Sequence, residues 1–265
     1  FRMAALNYTH EDGVATITLN NPPQNRMSGE LMQGMVTAVQ DLAGRTDTRV
    51  VLLKANGPDF SYGGDITTWM GQSKEEFGGA LSQGVMLTNL FQELPCPVVG
   101  AVQGYCGGGG FEMTLRGDII IAADNATFGH SEATIAVFTF LGGVQRVAER
   151  VGRTRAIQWA ITAERVDAQT ALETGLVNEV VPVADLETRA QEWVNKLKDS
   201  ATLAHAAHKK LLRAWSNGGI AAADALMGEM AGEILHSEDA QDCLPAAAEA
   251  VKAGAPRQEF KFKGR

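Results

Sequence analysis

The sequence predicts an α/β fold, with strands in the first two thirds of the chain and helices in the last third. Three short runs, 49–53, 97–102 and 118–122, are almost wholly apolar, which is typical of strands covered on both faces of a sheet. Beyond about residue 142 such runs nearly cease, and 177–181 is the last strand candidate. A third observation is an excess of glycine, 29 residues against 8 prolines, which regular strands and helices do not explain.

The chain is expected to open with a β-hairpin followed by a helix. Two β-rich runs, 6–9 and 14–19, flank the turn signal Glu11-Asp12-Gly13. Ser28 is a candidate N-cap, because the apolar residues after it recur at helical spacing: Leu31, Met35, Val39 and Leu42. With the run at 49–53, the predicted opening unit is strand, strand, helix, strand.

The last third of the chain is predicted to form a helical region. Helices are expected near 143–151, 153–162, 167–174, 184–199, 202–217 and 219–236. No linker or low-complexity tract separates the halves, so we divide the chain into an α/β core, 1–200, and a helical C-terminal region, 201–265. Alanine-rich faces in this region are suited to packing on the core or on another subunit.

Length and charge limit the possible functions. A chain of 265 residues buries a substantial core, as one large domain or as a domain with an appendage. Its net charge of −8 and pI near 5.2 disfavour a nucleic-acid-binding surface. A small anionic ligand held by a few local cations remains compatible with this charge.

Cysteine usage and hydropathy indicate a cytoplasmic protein without a membrane partner. Cys96, Cys106 and Cys243 lie in separate segments with no C-x-x-C pair, which favours reduced thiols over disulfides or a zinc site. No stretch approaches the roughly 18 to 20 continuous apolar residues of a membrane span. The start of the sequence also lacks the basic segment and apolar run of a signal peptide.

Two glycine-rich segments follow predicted strands. The first is 60–66, Phe-Ser-Tyr-Gly-Gly-Asp-Ile, and the second is 104–112, which contains four successive glycines before Phe111 and Glu112. Glycine lets backbone amides approach a ligand closely, and a helix that begins at such a run presents free N–H groups to a developing oxyanion. A tight turn and close packing of the backbone are the structural alternatives, and a phosphate site is weakly supported because no Walker or dinucleotide motif is present.

Glu112 and Glu132 are the candidate acid–base groups. Each has a structural alternative, since an acidic residue is common near a helix N-terminus and Glu132 is compatible with a solvated loop. Together they form a possible pair that holds one water, with one carboxyl ionised as the base and the other protonated as the acid. Crowding and burial separate the pKa values of such a pair.

Several motifs occur in order along nearly the whole chain. They are Phe60-Ser61-x-Gly63-x-Asp65-Ile66; Ala101-Val102-Gln103-Gly104-Tyr105 with Gly108-Gly109-Gly110-x-Glu112; Asp118-Ile119-Ile120 with Ala126-Thr127-Phe128-Gly129 and Glu132; Gly142-Gly143-x-Gln145-Arg146; Ala168 to Gly175 with Leu176-Val177-Asn178; and Ser237-Glu238-Asp239-Ala240. This series resembles the crotonase superfamily, and most closely its enoyl-CoA hydratase/isomerase members.

The resemblance implies a crotonase-like spiral of β-β-α units in 1–200 and a helical C-terminal trimerisation region in 201–265. Such proteins assemble as a homotrimer or a dimer of trimers. The resemblance also places the oxyanion amides at Gly64 and Gly109 and the two carboxylates of a hydratase at Glu112 and Glu132. The substrate is then an acyl-CoA thioester, and since coenzyme A is part of that substrate, no separate cofactor or metal is implied.

The resemblance further assigns residues to the substrate. Arg26 is a candidate partner for a CoA phosphate, and the backbone near Ile66 is expected to follow the CoA portion. Tyr62 replaces a common alanine, and Phe138-Thr139-Phe140 replaces a common Ile-Pro-Gly stretch. We expect Tyr62, Phe138 and Phe140 to shorten or reshape the acyl pocket. His130 has two interpretations, assistance to Glu132 or, because it lies beside a turn, a polar surface residue, and it receives no role.

Hydration of a 2-enoyl-CoA, or the reverse dehydration, is the preferred function because both glutamates are present. The alternatives within the fold are an isomerase that uses mainly Glu132, a decarboxylase, a C–C lyase and a thioester hydrolase. An RNA-binding or scaffold relative is the non-enzymatic alternative, which the acidic pI disfavours. A serine hydrolase is disfavoured because G-x-S-x-G is absent.

Overall fold

Ten strands and ten α-helices make up the described part of the chain, residues 2–3, 5–256 and 259–265, in the computed structural model. The strands are β1 Arg2–Met3, β2 Leu6–Glu11, β3 Val14–Leu19, β4 Val50–Ala55, β5 Val98–Val102, β6 Tyr105–Gly107, β7 Ile119–Ala123, β8 Thr127–Gly129, β9 Val166–Asp167 and β10 Glu179–Val181. The helices are α1 Gly29–Gly44, α2 Lys74–Gln92, α3 Gly108–Thr114, α4 Gly143–Val151, α5 Arg153–Thr162, α6 Ala168–Glu173, α7 Leu186–Lys198, α8 Thr202–Asp224, α9 Met227–Leu235 and α10 Glu238–Lys252.

The main sheet has seven strands in the order β1-β2-β3-β4-β5-β7-β10. Pairing is antiparallel from β1 to β3 and parallel from β3 to β10. A second sheet, in the order β6-β8-β9, pairs β6 with β8 in parallel and β8 with β9 in antiparallel fashion. The second sheet joins the two segments that carry the predicted site, because β6 leads into α3 and β8 leads toward Glu132.

Both faces of the main sheet are covered, as the apolar strands predicted. Alternate residues of the central strands belong to two separate buried clusters. On one side they pack with α1 and the hairpin; the strand residues there are Val51, Leu53, Val98, Val102, Ile120 and Ala122. On the other side they pack against α7; the strand residues there are Val50, Leu52, Val99, Ala101, Ile121 and Ala123. A sheet covered on both faces needs apolar residues at successive positions.

The predicted opening unit is confirmed. Strands β2 and β3 form a hairpin whose turn places Asp12 and Gly13 at positive φ, 50° and 75°. Helix α1 begins after Ser28, whose side-chain oxygen accepts a hydrogen bond from the Leu31 amide. This bond satisfies one of the free donors at the helix N-terminus.

The helical C-terminal region differs from its prediction in where its helices end. The expected break after residue 217 is present inside α8, where Gly219 has non-helical backbone angles, φ 74° and ψ −172°. The predicted helix 219–236 is therefore divided between the end of α8 and α9. Glycine permits this local conformation without ending the helical course of the chain on either side. Helix α10 begins after Ser237, which caps it through the Ala240 amide.

The proposed boundary at residue 200 stays a prediction, but the C-terminal tail contacts the core. The buried Arg49 guanidinium donates to the carbonyl oxygens of Lys198, Ser200 and Phe262. The start of β4 is thereby joined to the end of α7 and to the tail. None of the helices in the described ranges is both long and apolar enough to cross a membrane.

Candidate active site

The segment 60–66 pairs with β6 at one side of the site. The Ser61 amide donates to the Tyr105 carbonyl oxygen at 3.0 Å, and the Gly107 amide donates to the Ser61 carbonyl oxygen at 2.8 Å. The Ser61 hydroxyl also donates to the Asn25 carbonyl oxygen at 2.8 Å. These bonds hold the first glycine-rich segment against the second.

The two glycine-rich segments approach so closely that there is no room for a side chain between them. Gly63 has φ of 81°, and a Cβ atom there would lie 2.9 Å from both the Gly108 Cα and the Gly109 nitrogen. A Cβ atom at Gly109 would lie 3.8 Å from the Gly64 nitrogen. The amide nitrogens of Gly64 and Gly109 are therefore close neighbours, and glycine at 63 is required for that approach.

The Gly64 and Gly109 amides are candidate donors to a ligand. Gly109 lies in the first turn of α3, where backbone N–H groups have no partner within the helix. Within the described ranges, neither amide donates a hydrogen bond to a loop, a turn or a side chain. Both residues line the same cavity. Two free amides facing one cavity are the elements of an oxyanion hole.

Glu112 is held inside the protein by backbone donors. Its side chain is 2% exposed, and its Oε1 atom accepts hydrogen bonds from the Leu141 and Gly143 amides, both at 2.8 Å. Gly143 has to be small, because a Cβ atom there would lie 2.8 Å from the Glu112 Cγ. Burial, with a smaller contribution from the nearby Glu132 carboxylate, raises the pKa of Glu112 to about 7.

Glu132 faces the same glycine-rich loop from a short 3₁₀ turn, Glu132–Ile135, that follows β8. It is 8% exposed, so the alternative of a solvated loop carboxylate is wrong. A Cβ atom added at Gly108 would lie 3.6 Å from the Glu132 Oε1 atom. The Oε2 atom is buried without a hydrogen-bond partner in the described chain. Burial raises the pKa of this carboxyl.

A cavity of about 670 Å³ connects these groups. It is lined by both glutamates, by both candidate amides and by four of the residues that the sequence assigned to substrate: Arg26, Tyr62, Ile66 and Phe140. This volume is within the range of ordinary small-ligand sites. The Arg26 guanidinium donates to the Gln24 side chain at 2.7 Å and to the Gly64 carbonyl oxygen at 3.3 Å.

Phe138 does not line this cavity, although the sequence placed it in the acyl pocket. Its side chain is 71% exposed, and its ring meets that of Phe140 edge-on, with centroids 4.9 Å apart. Of the two rings, only that of Phe140 lines the cavity. The direction of a side chain in an irregular loop does not follow from its spacing in the sequence.

An aromatic wall that the sequence did not predict forms another side of the cavity. The rings of Trp69, Phe77 and Phe140 have centroids 5.4 to 5.7 Å apart, and all three line the cavity. Trp69 packs directly under Gly64, because a Cβ atom on that glycine would lie 2.5 Å from its ring. Phe77 is on α2, whose capping box at Ser73 and Glu76 was a readable signal for the start of this helix.

His130 is buried, so its interpretation as a surface residue is wrong. It is 1% exposed and packs against the Phe111 ring with centroids 5.0 Å apart. A Cβ atom added at Gly143 would lie 2.5 Å from the His130 Cε1 atom and 2.8 Å from the Glu112 Cγ atom, so the two side chains lie on the same side of Gly143. Neither ring nitrogen has a partner in the described chain. Burial lowers the pKa of His130 to about 4, so the imidazole is neutral at pH 7.

Known structures share this arrangement of strands and helices. The enoyl-CoA hydratase of Geobacillus kaustophilus matches 100% of this chain and 98% of its own with a TM-score of 0.91 and 28% identity. The enoyl-CoA hydratase of Bacillus anthracis matches 98% of this chain and 100% of its own with a TM-score of 0.87 and 28% identity. The sheet topology and these matches thus define a protein of the crotonase fold, as the sequence motifs led us to expect.

The chain belongs to the enoyl-CoA hydratase/isomerase family, whose model it matches over residues 9–264. It is similar to the carnitinyl-CoA dehydratase of Citrobacter koseri, with 32% identity over 98% of this chain and 99% of the relative. It is also similar to the short-chain-enoyl-CoA hydratase of Clostridium acetobutylicum, with 31% identity over 89% of this chain and 91% of the relative.

Proposed function

We propose that the protein adds water across the double bond of a 2-enoyl-CoA thioester, or removes water in the reverse direction. Relatives named as a hydratase and as dehydratases support a hydratase-type lyase activity. The observation that carries the proposal is the meeting of two free amides and two buried carboxyls in one cavity.

In the proposed reaction, the thioester carbonyl oxygen accepts hydrogen bonds from the Gly64 and Gly109 amides. As water adds to C3, negative charge develops on this oxygen and an enolate forms. Fixed backbone donors stabilise that charge more than they stabilise the neutral carbonyl, so they lower the barrier. The pairing of segment 60–66 with β6 keeps both donors in place before the substrate binds.

The two carboxyls divide the proton transfers. Glu112 acts as the base, because two backbone donors on its Oε1 atom stabilise its anion and partly offset the burial that raises its pKa. It takes a proton from the water whose oxygen bonds to C3. Glu132 acts as the acid, because its buried and unpartnered Oε2 atom favours the protonated form, and it gives its proton to C2. One water is thereby added, and the proton on Glu112 returns to Glu132 through the next water.

The rest of the cavity receives the remainder of the thioester. Arg26 and Tyr62 lie beside Gly64, so we place the CoA portion along them and along Ile66. Phe140, with Trp69 and Phe77, bounds the acyl group. Phe138 then influences the acyl group only through its contact with Phe140. This reaction requires no separate cofactor.

We also propose that the protein forms a homotrimer or a dimer of trimers in the cytoplasm. Large apolar side chains are exposed along the C-terminal helices: Leu212, Trp215, Ile220, Met227 and Leu235. Such side chains are suited to contact with another subunit. The mass of the particle in solution distinguishes the trimer from the dimer of trimers.

The proposed cytoplasmic location is supported by the cysteines. All three are free thiols, which is consistent with a reducing compartment.

The proposal is tested by incubating the protein with 2-enoyl-CoA thioesters of varied length and branching, including crotonyl-CoA and crotonobetainyl-CoA. Mass spectrometry then detects the gain of one water. We expect Glu112→Gln and Glu132→Gln each to lower the rate about a hundredfold or more, because each removes a proton-transfer group. Glu75→Gln, at an exposed position of α2, serves as the control and should leave the rate unchanged.

Unchanged hydration by either active-site variant would contradict the assigned roles. If the wild type moves a double bond without adding water, and Glu112→Gln retains that activity, the isomerase alternative is correct instead. Circular dichroism of each variant separates a loss of chemistry from a loss of fold.

A further inference from the structure

We propose that Arg165 binds an anionic group of the bound thioester, either a phosphate of its CoA portion or a carboxylate carried by its acyl group. This inference rests on the proposed function in so far as the ligand is a CoA thioester. It adds a specificity-determining residue that the motifs did not identify. The carrying observation is a guanidinium in the cavity wall without an anionic partner in the described chain.

The backbone fixes where Arg165 emerges. It precedes β9, whose Val166 pairs with Phe128 of β8, so the residue lies beside the strand that leads to Glu132. Its aliphatic stem passes over Gly129, where a Cβ atom would lie 3.8 Å from the Arg165 Cγ. This distance is an ordinary van der Waals contact, so the stem packs on the Gly129 backbone.

The guanidinium is held in position by an aromatic ring. Its central carbon is 4.3 Å from the centroid of the buried Tyr105 ring, a distance at which a cation and an aromatic face attract each other. Stacking on a ring leaves the edge of the guanidinium, with its N–H donors, available to another group. Arg165 is thus oriented without using its hydrogen-bonding capacity.

The nearby carboxylates are engaged elsewhere. Glu164 accepts a hydrogen bond from Gln158 at 3.1 Å, and Asp167 accepts one from the Thr170 amide at 2.7 Å. Glu132 lines the same cavity, yet no carboxylate oxygen in the described ranges lies within 4.0 Å of the Arg165 guanidinium. By contrast, Arg189 is paired with two glutamates. A planar fork of donors without a counter-ion is suited to a phosphate or carboxylate from the ligand.

Arg165 also has a counterpart among the residues that line the cavity. The Tyr62 and Tyr105 rings meet with centroids 4.8 Å apart, and the Arg26 guanidinium lies 5.8 Å from the Tyr62 centroid. Two tyrosines therefore separate two guanidiniums that line one cavity. A thioester with negative charge at two places would engage both cations.

Binding of saturated thioesters tests the inference without requiring turnover, so its failure is distinct from a failure of the hydratase proposal. The probes are butyryl-CoA, S-butyrylpantetheine, which has no phosphate, and glutaryl-CoA, which adds an acyl carboxylate. Calorimetry compares their Kd values for wild type, Arg165→Gln and Arg165→Lys. Arg155→Gln, at an exposed position of α5, is the matched control.

Loss of a charge-assisted hydrogen bond weakens binding about tenfold or more. If the anion is a phosphate, Arg165→Gln raises the Kd of both CoA thioesters by that factor and leaves the Kd of S-butyrylpantetheine unchanged. If the anion is the acyl carboxylate, only the Kd of glutaryl-CoA rises. Arg165→Lys, which keeps the charge but loses the planar fork, should give an intermediate change. Equal weakening of all three probes, or no change with any of them, overturns the inference.

Discussion

Burial of the Glu112 carboxyl affects both its chemistry and the stability of the protein. The group is almost fully enclosed, and its pKa rises from 4.5 to about 7. The folded state therefore binds this proton more tightly than the unfolded state. Stability from this group is fully present below pH 4.5 and is lost as the pH rises through about 7. A raised pKa also leaves an appreciable fraction of ionised base near neutral pH, which proton abstraction requires.

We therefore expect Glu112→Gln to be more stable than the wild type at pH 8, by an amount on the order of 2 kcal/mol. Glutamine keeps an oxygen that accepts from the Leu141 and Gly143 amides but carries no charge. The difference in stability between the variant and the wild type should shrink toward pH 5, where the Glu112 carboxyl is protonated. His130 is present in both proteins, so its effect on stability does not contribute to this difference. Urea unfolding at the two pH values measures the difference, with Glu75→Gln as the control. A variant that is less stable than the wild type at pH 8 would show that the buried carboxylate is not costly.

At the scale of elements, the site depends on contact between two loops rather than on any one helix. Segment 60–66 is paired with β6, and Gly63 lies against the backbone at the start of α3. The separation of the candidate amides is therefore set by how closely these segments approach. An added methyl group at this contact meets backbone atoms, which cannot rotate away as a side chain can.

Substitution of Gly63 by alanine should accordingly reduce kcat/KM at least tenfold and destabilise the fold. A positive φ alone costs an alanine about 1 to 2 kcal/mol, and the contact at 2.9 Å adds to that. Gly71→Ala isolates the first effect, because Gly71 has φ of 83° and an added methyl group there would have no atom within 4 Å. Equal losses of stability and of rate in the two variants would indicate that the loop contact does not position the amides.

At the scale of the whole molecule, the residues closest to the proposed chemistry were predictable because they lie in contiguous motifs. Gly64 and Gly109 occupy glycine-rich segments after strands, and Glu112 is the last residue of the second segment, on a short helix. Glu132 was predictable as a member of the same series of motifs. The apolar central strands likewise predicted a sheet covered on both faces.

Other features of the site depend on packing between distant parts of the chain. The burial of His130 is produced by Phe111 and by the close approach of Gly143. The inward turn of Phe140 and the exposure of Phe138 follow from the course of an irregular loop. Arg165 reaches the cavity because β9 pairs with β8. None of these neighbours is adjacent in sequence, so hydrophobic periodicity and motif spacing do not reveal them.

The most direct measurement is a crystal structure of the protein with butyryl-CoA bound, because it shows where the thioester carbonyl lies. We expect its oxygen within about 3.1 Å of both the Gly64 and the Gly109 nitrogens, and its C2 and C3 atoms between the Glu112 and Glu132 carboxyls. A carbonyl that is directed away from either amide, or an acyl chain that lies on the far side of the cavity from the glutamates, would contradict the proposed function.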